Sequence, residues 1–187
     1  MKSSLFYLFA GFFWAKSVFG TTLPSGLWQI ECKDGLIKEQ AVKGNFVTST
    51  EKFYADRNCQ QISFIFETTG YVVFTAEHVE WIDFTYLNVS LSVSNSQAIQ
   101  DLNSRKVCGF TDWTISDSKD ITGLRCALFN VKKETQIPHA GDLKYGIFKI
   151  EVDRLYYGQM TKENDGSTSE RRPVGFNIDY FKHLEIR

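Results

Sequence analysis

The sequence predicts a single all-β domain in which antiparallel strands follow one another as a meander that closes, or nearly closes, on itself. A chain of 187 residues suits one domain. Aromatic residues, which favour strands, make up 15% of the chain. Alternating segments recur at roughly ten-residue spacing between turn residues, a pattern typical of barrels and sandwiches with about eight strands.

The first twenty residues are interpreted as a secretory signal peptide rather than as part of the fold. Lys2 supplies a positive start, residues 5–15 are a short apolar core, and Val18 and Gly20 have the spacing of a cleavage site. The apolar run is about half as long as a bilayer span requires. We therefore expect cleavage after Gly20 and a secreted or periplasmic domain over residues 21–187. No cysteine lies at the cleavage point to carry a lipid anchor.

The four cysteines of the remaining chain are Cys32, Cys59, Cys108 and Cys126. An even number in an exported chain predicts two disulfides. Of the three possible connectivities we favour the sequential one, because each pair then brackets a locally closed unit. Each bridge would contribute roughly 3 kcal/mol in the chain-entropy model. Zinc binding is the competing interpretation, but the chain contains no C-x-x-C pair.

Two strands, separated by a segment of undecided type, are expected between residues 27 and 54. Residues 27–31 alternate weakly and should form the first strand, whereas periodicity does not decide between a strand and a short helical turn for residues 36–43. Gly44 and Asn45 signal a tight turn. Residues 46–52 then alternate as a strand with an unusually polar surface.

A hairpin and a long strand are expected next. Residues 62–67 alternate, residues 68–70 have turn composition, and residues 71–77 would return the chain to complete the hairpin. Residues 81–94 form one continuous alternating segment. A strand of this length bends or crosses between sheet halves, as barrel strands do.

One helix is predicted, over residues 96–106. Ser94 or Ser96 would cap its N-terminus, and its narrow apolar stripe fits either a barrel end or a plain surface connection.

The C-terminal third completes the expected meander. Residues 145–152 and 155–157 should form a second hairpin, and residues 161–171 have the composition of a mobile loop. Residues 176–184 form either a closing strand or a terminal helix.

Two local patterns have both a functional and a plain structural interpretation. Asp112, Asp117 and Asp120 offer the oxygen donors that calcium prefers, but their spacing matches no EF-hand loop and Asp often caps turns. Asn88 begins an N-x-S glycosylation sequon, but its place inside a predicted strand argues against use.

The early G-x-W motif from Gly26 to Trp28, in an exported β-rich chain, resembles the lipocalin-type barrels. In that family an arginine from the last part of the chain packs over the tryptophan. The resemblance therefore implies a cation–π contact of Arg171 or Arg172 with Trp28.

A longer pattern is more specific. G-L-W-(x)3-C, F-Y-x-D-(x)2-C and F-x-F-(x)3-G within residues 26–70 are similar to the ectodomain of the adenomatosis-polyposis-coli-down-regulated (Wnt-inhibitor) proteins. This resemblance implies a lipocalin-like barrel with an apolar cavity for a lipid group, and it supports a Cys32–Cys59 bridge. Later segments, C-G-F-T-D-W, L-Y-Y-G and R-R-P, resemble small secreted bacterial proteins of unassigned function.

Two functions follow from a barrel of this kind. The first is non-covalent binding of a small hydrophobic or lipid ligand in the cavity. The side chains expected to line it are Phe64, Phe66, Phe74, Phe84 and Tyr86. The alternative is a protein-interaction module of the cell envelope or extracellular space, with a filled core and no ligand.

Catalysis, cofactors and metal ions are not expected. The chain has no G-x-S-x-G, no H-E-x-x-H and no Gly-rich phosphate loop. Its histidines, His78, His139 and His183, are interpreted as surface residues. A formal net charge of −1 gives no reason to expect a nucleic-acid partner, and we expect a monomer that does not span a membrane.

Overall fold

The computed structural model describes residues 22–74, 80–128 and 133–184, so the expected signal peptide lies outside the described residues. These ranges contain eleven strands and one α-helix, α1, over Ser96–Arg105. The strands are β1 Gly26–Lys33, β2 Leu36–Lys43, β3 Phe46–Tyr54, β4 Ile62–Phe74, β5 Trp81–Val93, β6 Ser118–Asp120, β7 Arg125–Cys126, β8 Thr135–Gln136, β9 Leu143–Glu151, β10 Arg154–Tyr157 and β11 Phe181–Leu184.

Eight of the strands form a closed ring. The order along the sheet is β4-β3-β2-β1-β11-β10-β9-β5, and β5 pairs back with β4. Every pairing around the ring is antiparallel, and each ring strand lies beside the ring strands that precede and follow it in the chain. The expected fold class, a lipocalin-like antiparallel barrel of about eight strands with one short helix, is confirmed.

The expected hairpin within residues 62–77 is wrong, because β4 continues without a turn from Ile62 to Phe74. Gly70 does not reverse the chain. A Cβ atom added at Gly70 would collide with the carbonyl oxygen of Thr85 and with the ring of Phe84, whose Cε1 atom would lie 2.8 Å away. A glycine within a strand marks such a close approach as readily as it marks a turn.

The long strand β5 is confirmed, but its inner face changes partway along it. Thr69 pairs with Asn88 and Gly70 pairs with Tyr86, so Leu87 is an extra residue without a partner in β4. A bulge of one residue reverses the alternation of side chains between the two faces. The inner face therefore consists of Ile82, Phe84 and Tyr86 before the bulge and Val89, Leu91 and Val93 after it.

Two apolar clusters form the core, and we name them after Trp28 and after the helix. Full burial of one large aliphatic or aromatic side chain stabilises a fold by about 1.5–3 kcal/mol. The buried members of the Trp28 cluster are Leu23, Trp28, Val42, Val47, Val72, Ile82, Phe148 and Leu155. Those of the helix cluster are Val89, Leu91, Val93, Leu102, Val107, Cys108, Trp113, Ile121, Cys126 and Ile137.

The helix begins where the sequence predicts, but its capping residue is Asn95 rather than Ser94 or Ser96. The Asn95 side chain accepts a hydrogen bond from the Ala98 N–H at 2.8 Å. Asparagine is among the strongest N-caps because its side chain satisfies a backbone N–H that has no partner within the helix. Neither this helix nor the short 3₁₀ turns in the described ranges have the length and apolarity needed to cross a bilayer.

Both expected disulfides are present. Cys32–Cys59 links residues 27 positions apart in the chain, and Cys108–Cys126 links residues 18 positions apart. The first joins the end of β1 to the segment between β3 and β4, whereas the second lies within the helix cluster. Each stabilises the fold by roughly 3 kcal/mol if the bridge acts mainly by restricting the unfolded chain.

The remaining elements resolve the alternatives that the sequence left open. Residues 36–43 are strand β2, and the second hairpin is formed by β9 and β10. Residues 161–171 are a connection that ends in a short 3₁₀ turn. The terminal segment contains β11, which is the closing strand rather than a helix.

Substitution of Gly70 by alanine tests the close approach between β4 and β5. Because the new methyl group would displace backbone atoms of β5 as well as the Phe84 ring, we expect Gly70→Ala to lower the free energy of unfolding by roughly 1–3 kcal/mol. Gly175→Ala is the matched control, since a Cβ there meets nothing within 4 Å, and it should change stability by less than about 0.5 kcal/mol. Urea unfolding of the oxidised proteins measures both, and equal midpoints would contradict this account of Gly70.

Candidate functional site

A cavity of about 360 Å³ lies inside the barrel between the two apolar clusters. Val72 and Ile82 of the Trp28 cluster and Val89 of the helix cluster all contribute to its wall. Pockets that bind small molecules have volumes of roughly 300–1,000 Å³. Met160 also lines the cavity and is 46% exposed, so this part of the wall reaches solvent.

An aromatic wall forms one side of the cavity. Phe66, Phe84 and Tyr86 line it, and the rings of Phe84 and Tyr86 meet edge to face with their centroids 4.9 Å apart. Tyr86 is also held through its backbone, because its N–H donates to the Asp142 carbonyl at 3.0 Å. Burial, reinforced by the charge of Asp142, raises the pKa of the Tyr86 phenol. The phenol therefore stays uncharged at neutral pH.

Two of the five side chains expected to line the cavity lie elsewhere. Phe64 lines a separate pocket of about 220 Å³ beneath α1 and stacks on Phe53, with ring centroids 4.6 Å apart. Phe74 packs on Phe148 beside the Trp28 cluster, at a centroid distance of 5.4 Å. Alternation along β4 predicts which face a side chain occupies, but not which part of that face the helix or the core covers.

A row of polar side chains faces the cavity from β2, β3 and β4. It consists of Gln40, Ser49 and Thr68, and we call these three residues the polar row. Gln40 pairs directly with Ser49 across β2 and β3, and Ser49 pairs directly with Thr68 across β3 and β4. This row was not predicted from the sequence, although the unusually polar composition of residues 46–52 was a signal of it.

Tyr157 extends the polar surface from the neighbouring part of the wall. Its hydroxyl group donates a hydrogen bond to Gln40 Oε1 at 2.5 Å, and the Gln40 side chain is buried. Burial raises the pKa of the Tyr157 phenol well above its ordinary value and outweighs the opposite effect of the hydrogen bond. This polar surface therefore carries no charge of its own.

The charged side chains on the cavity wall already have partners. The Glu51 carboxylate lies 2.7 Å from the Lys38 ammonium group, and the Lys144 ammonium group donates to the backbone carbonyl of Asp165. The interior thus combines an aromatic and aliphatic wall with a neutral polar row. Of the charged residues on the wall, Glu51 is ion-paired and Lys144 is hydrogen-bonded to a backbone carbonyl.

The expected contact of Arg171 or Arg172 with Trp28 is wrong. Trp28 belongs to the interior, where its indole Nε1 donates to the Pro24 carbonyl at 3.1 Å and its ring meets that of His183 edge to face at 4.7 Å. The Arg172 guanidinium instead lies over the ring of Trp81, 4.4 Å from its centroid.

Arg172 acts as a clamp on the outer face of the barrel. Its Nη1 donates to the Gly146 carbonyl at 2.6 Å and more weakly to the Ile82 carbonyl at 3.3 Å, which connects β9 to β5. The same nitrogen lies 2.7 Å from Asp83 Oδ1, and both side chains are largely buried. That oxygen has no aligned hydrogen bond, so the contact is an electrostatic ion pair.

The candidate histidines do not form a catalytic group in the described ranges. His183 packs on Trp28, and the exposed His139 uses its backbone N–H to donate to Asp142 Oδ2 at 2.8 Å. His78 lies outside the described residues.

The candidate calcium ligands have other partners. Asp112 and Asp117 lie 3.2 and 3.1 Å from the Lys119 ammonium group, while Asp120 accepts from the Thr122 N–H at 2.9 Å. Across the described ranges no three acidic, histidine or cysteine side chains are grouped as metal ligands. The sequon residue Asn88 lies within β5 and donates to Thr122 Oγ1 at 3.3 Å.

No protein-family model matches this chain, and no curated protein matches it in sequence. The cavity and the residues around it are therefore the basis for assigning a function.

Neighbouring arginines provide a matched test of the clamp. Arg172→Met leaves Asp83 buried without its cation, so we expect the free energy of unfolding to fall by about 3–5 kcal/mol. Arg171→Met removes an ion pair with Asp165 whose partners are both 42% exposed, and it should cost less than about 1 kcal/mol. Chemical unfolding of the two variants is the measurement. A similar decrease in the free energy of unfolding of the two variants would show that Arg172 does not act as a clamp.

Proposed function

We propose that this protein is a secreted or periplasmic binding protein that holds a small hydrophobic ligand non-covalently in the barrel cavity. The observation that carries the proposal is the cavity of about 360 Å³ between two packed clusters. An eight-stranded barrel has room either for its own side chains or for one small ligand. A filled core would leave no volume of this size beside Phe66, Phe84 and Tyr86.

The size of the cavity limits the ligand. Its volume equals that of about a dozen water molecules at liquid density, which corresponds to an organic molecule with on the order of 15 non-hydrogen atoms. The part of the ligand that the cavity encloses is then smaller than a membrane phospholipid. A solvent-accessible wall at Met160 supplies a place where it can enter.

The features that indicate export of the protein also support a secreted or periplasmic binding role. Disulfides such as Cys32–Cys59 and Cys108–Cys126 persist in oxidising compartments, and residues 1–20 have the sequence layout of a signal peptide. The resemblance to lipocalin-type barrels and to the Wnt-inhibitor ectodomain, in which an apolar cavity holds a lipid group, points in the same direction.

A second candidate, a protein-interaction module, draws support from one segment. Val174 and Ile178, which precede β11, are 87% and 85% exposed. Two exposed apolar side chains so close in the chain would suit contact with a partner protein. This role is compatible with ligand binding, because the segment does not line the cavity.

Binding of N-phenyl-1-naphthylamine, a neutral fluorophore, tests the proposed function. The dye should bind one site saturably, and Val72→Phe should weaken binding at least tenfold because Val72 lines the cavity and is almost fully buried. Val73→Phe is the matched control, since Val73 is 55% exposed on the opposite face of β4, and it should leave the dissociation constant unchanged.

Met160→Trp fills the same cavity from its solvent-exposed wall. It keeps the test valid if Val72→Phe destabilises the fold, and it should also weaken binding of the dye. Absence of saturable binding to the wild-type protein, or equal binding by the Val72→Phe and Val73→Phe variants, would overturn the proposal.

A further inference from the structure

The polar row leaves hydrogen-bonding capacity unused inside the cavity. Gln40 Oε1 accepts from Tyr157, but among the hydrogen bonds of the described residues the Gln40 amide N–H groups donate none. The Ser49 and Thr68 hydroxyls likewise have no side-chain partner in the described ranges. Gln40 is only 8% exposed and lines the cavity, so the space in front of its amide is the cavity itself.

The register of the sheet brings the side chains of the polar row next to one another on the cavity wall. Gln40, Ser49 and Thr68 are successive partners across β2, β3 and β4. Neighbouring strands lie about 4.8 Å apart, so the row covers a short patch of the wall. One functional group of a ligand, together with any ordered water beside it, can reach the whole row.

The cost of burying polar groups without hydrogen-bond partners restricts the class of ligand that the cavity can hold. A buried amide or hydroxyl that loses water without gaining a new partner costs free energy. A purely hydrocarbon ligand would displace water from the row and leave all three groups unsatisfied. A ligand with a hydroxyl or carbonyl group would replace those hydrogen bonds while its apolar part contacts Phe66, Phe84 and Tyr86.

Charge distinguishes a neutral polar group from an anionic one. The polar row contains no cation, and the charged cavity residues Glu51 and Lys144 already interact with the Lys38 ammonium group and the Asp165 carbonyl. An ionised carboxylate placed against neutral amide and hydroxyl groups in an apolar cavity would lose more hydration than it regains.

We infer that the ligand is a neutral amphipathic molecule, with one hydroxyl or carbonyl group hydrogen-bonded to the polar row, directly or through ordered water, and an apolar body on the aromatic wall. This inference rests on the proposed function, because it describes the ligand of the same cavity. The polar row selects for the neutral polar group, and the aromatic wall provides affinity for the apolar body.

Three ligands with one carbon skeleton test the inference by displacement of N-phenyl-1-naphthylamine. They are limonene, a hydrocarbon; perillyl alcohol, its hydroxylated form; and perillic acid, which is ionised at neutral pH. We expect perillyl alcohol to displace the dye at a concentration at least tenfold lower than limonene or perillate, a difference of about 1.4 kcal/mol. Equal displacement by all three, or best displacement by limonene, would overturn the inference.

The double variant Ser49→Ala/Thr68→Val removes two hydroxyls with little change of volume. With each affinity measured against the dye affinity of the same variant, the preference for perillyl alcohol over limonene should fall from tenfold to less than about twofold. Thr69→Val is the control on the opposite face of β4 and should keep the tenfold preference. If the preference persists in the double variant, the polar row does not select the ligand.

Two further outcomes separate the competing explanations. If perillate binds best and loses its advantage in Lys144→Gln, the ligand's polar group is anionic and lies at Lys144, which overturns the inference but leaves the proposed function standing. If the dye itself shows no saturable binding, the proposed function fails, and the inference fails with it.

Discussion

The last strand, β11, pairs with β10 on one side and with β1 on the other, and this double pairing closes the barrel. Its contact with β1 consists of three residue pairs, from Leu27 with Leu184 to Gln29 with Lys182. Closure leaves no open edge in the ring at this point and fixes an inside and an outside for each ring strand. The buried indole of Trp28 meets the ring of His183 directly at the closing seam.

The position of the cavity reflects the sizes of the side chains that point into the closed ring. Large apolar side chains fill the interior around Trp28 and again beneath α1. Between these clusters, Ser49 and Thr68 present short side chains where a packed core would need long ones. The bulge at Leu87 shifts the alternation of β5, so the inner face of this strand stays apolar on both sides of the bulge. Small polar residues at these inward positions therefore contribute to the empty volume.

The strand pattern and the disulfide pairing could be predicted because both depend on short-range signals. Alternation identified β5 and the β9–β10 hairpin, and cysteine order identified both bridges. Gly70 was misread, because a glycine that makes room for Phe84 has the same local sequence signal as one in a turn. Arg172 was assigned to the wrong tryptophan, because the path of the terminal segment across β5 and β9 is a tertiary property.

The candidate site was less accessible to sequence reasoning than the fold. Phe66 and Phe84 were expected in the cavity and do line it, but Phe64 faces the helix instead. The polar row was missed because Gln40, Ser49 and Thr68 are separated in sequence and become neighbours only through the register of three strands. In a strand with mixed polarity, an inward serine cannot be distinguished from an outward one without that register.

Native mass spectrometry of the protein recovered from an oxidising compartment would reveal a bound ligand without assuming its identity. We expect a chain with two disulfides that carries one small uncharged molecule, released on denaturation and bearing a hydroxyl or carbonyl group. A ligand-free mass that gains no adduct when the protein is incubated with neutral amphipathic molecules of suitable size would contradict it.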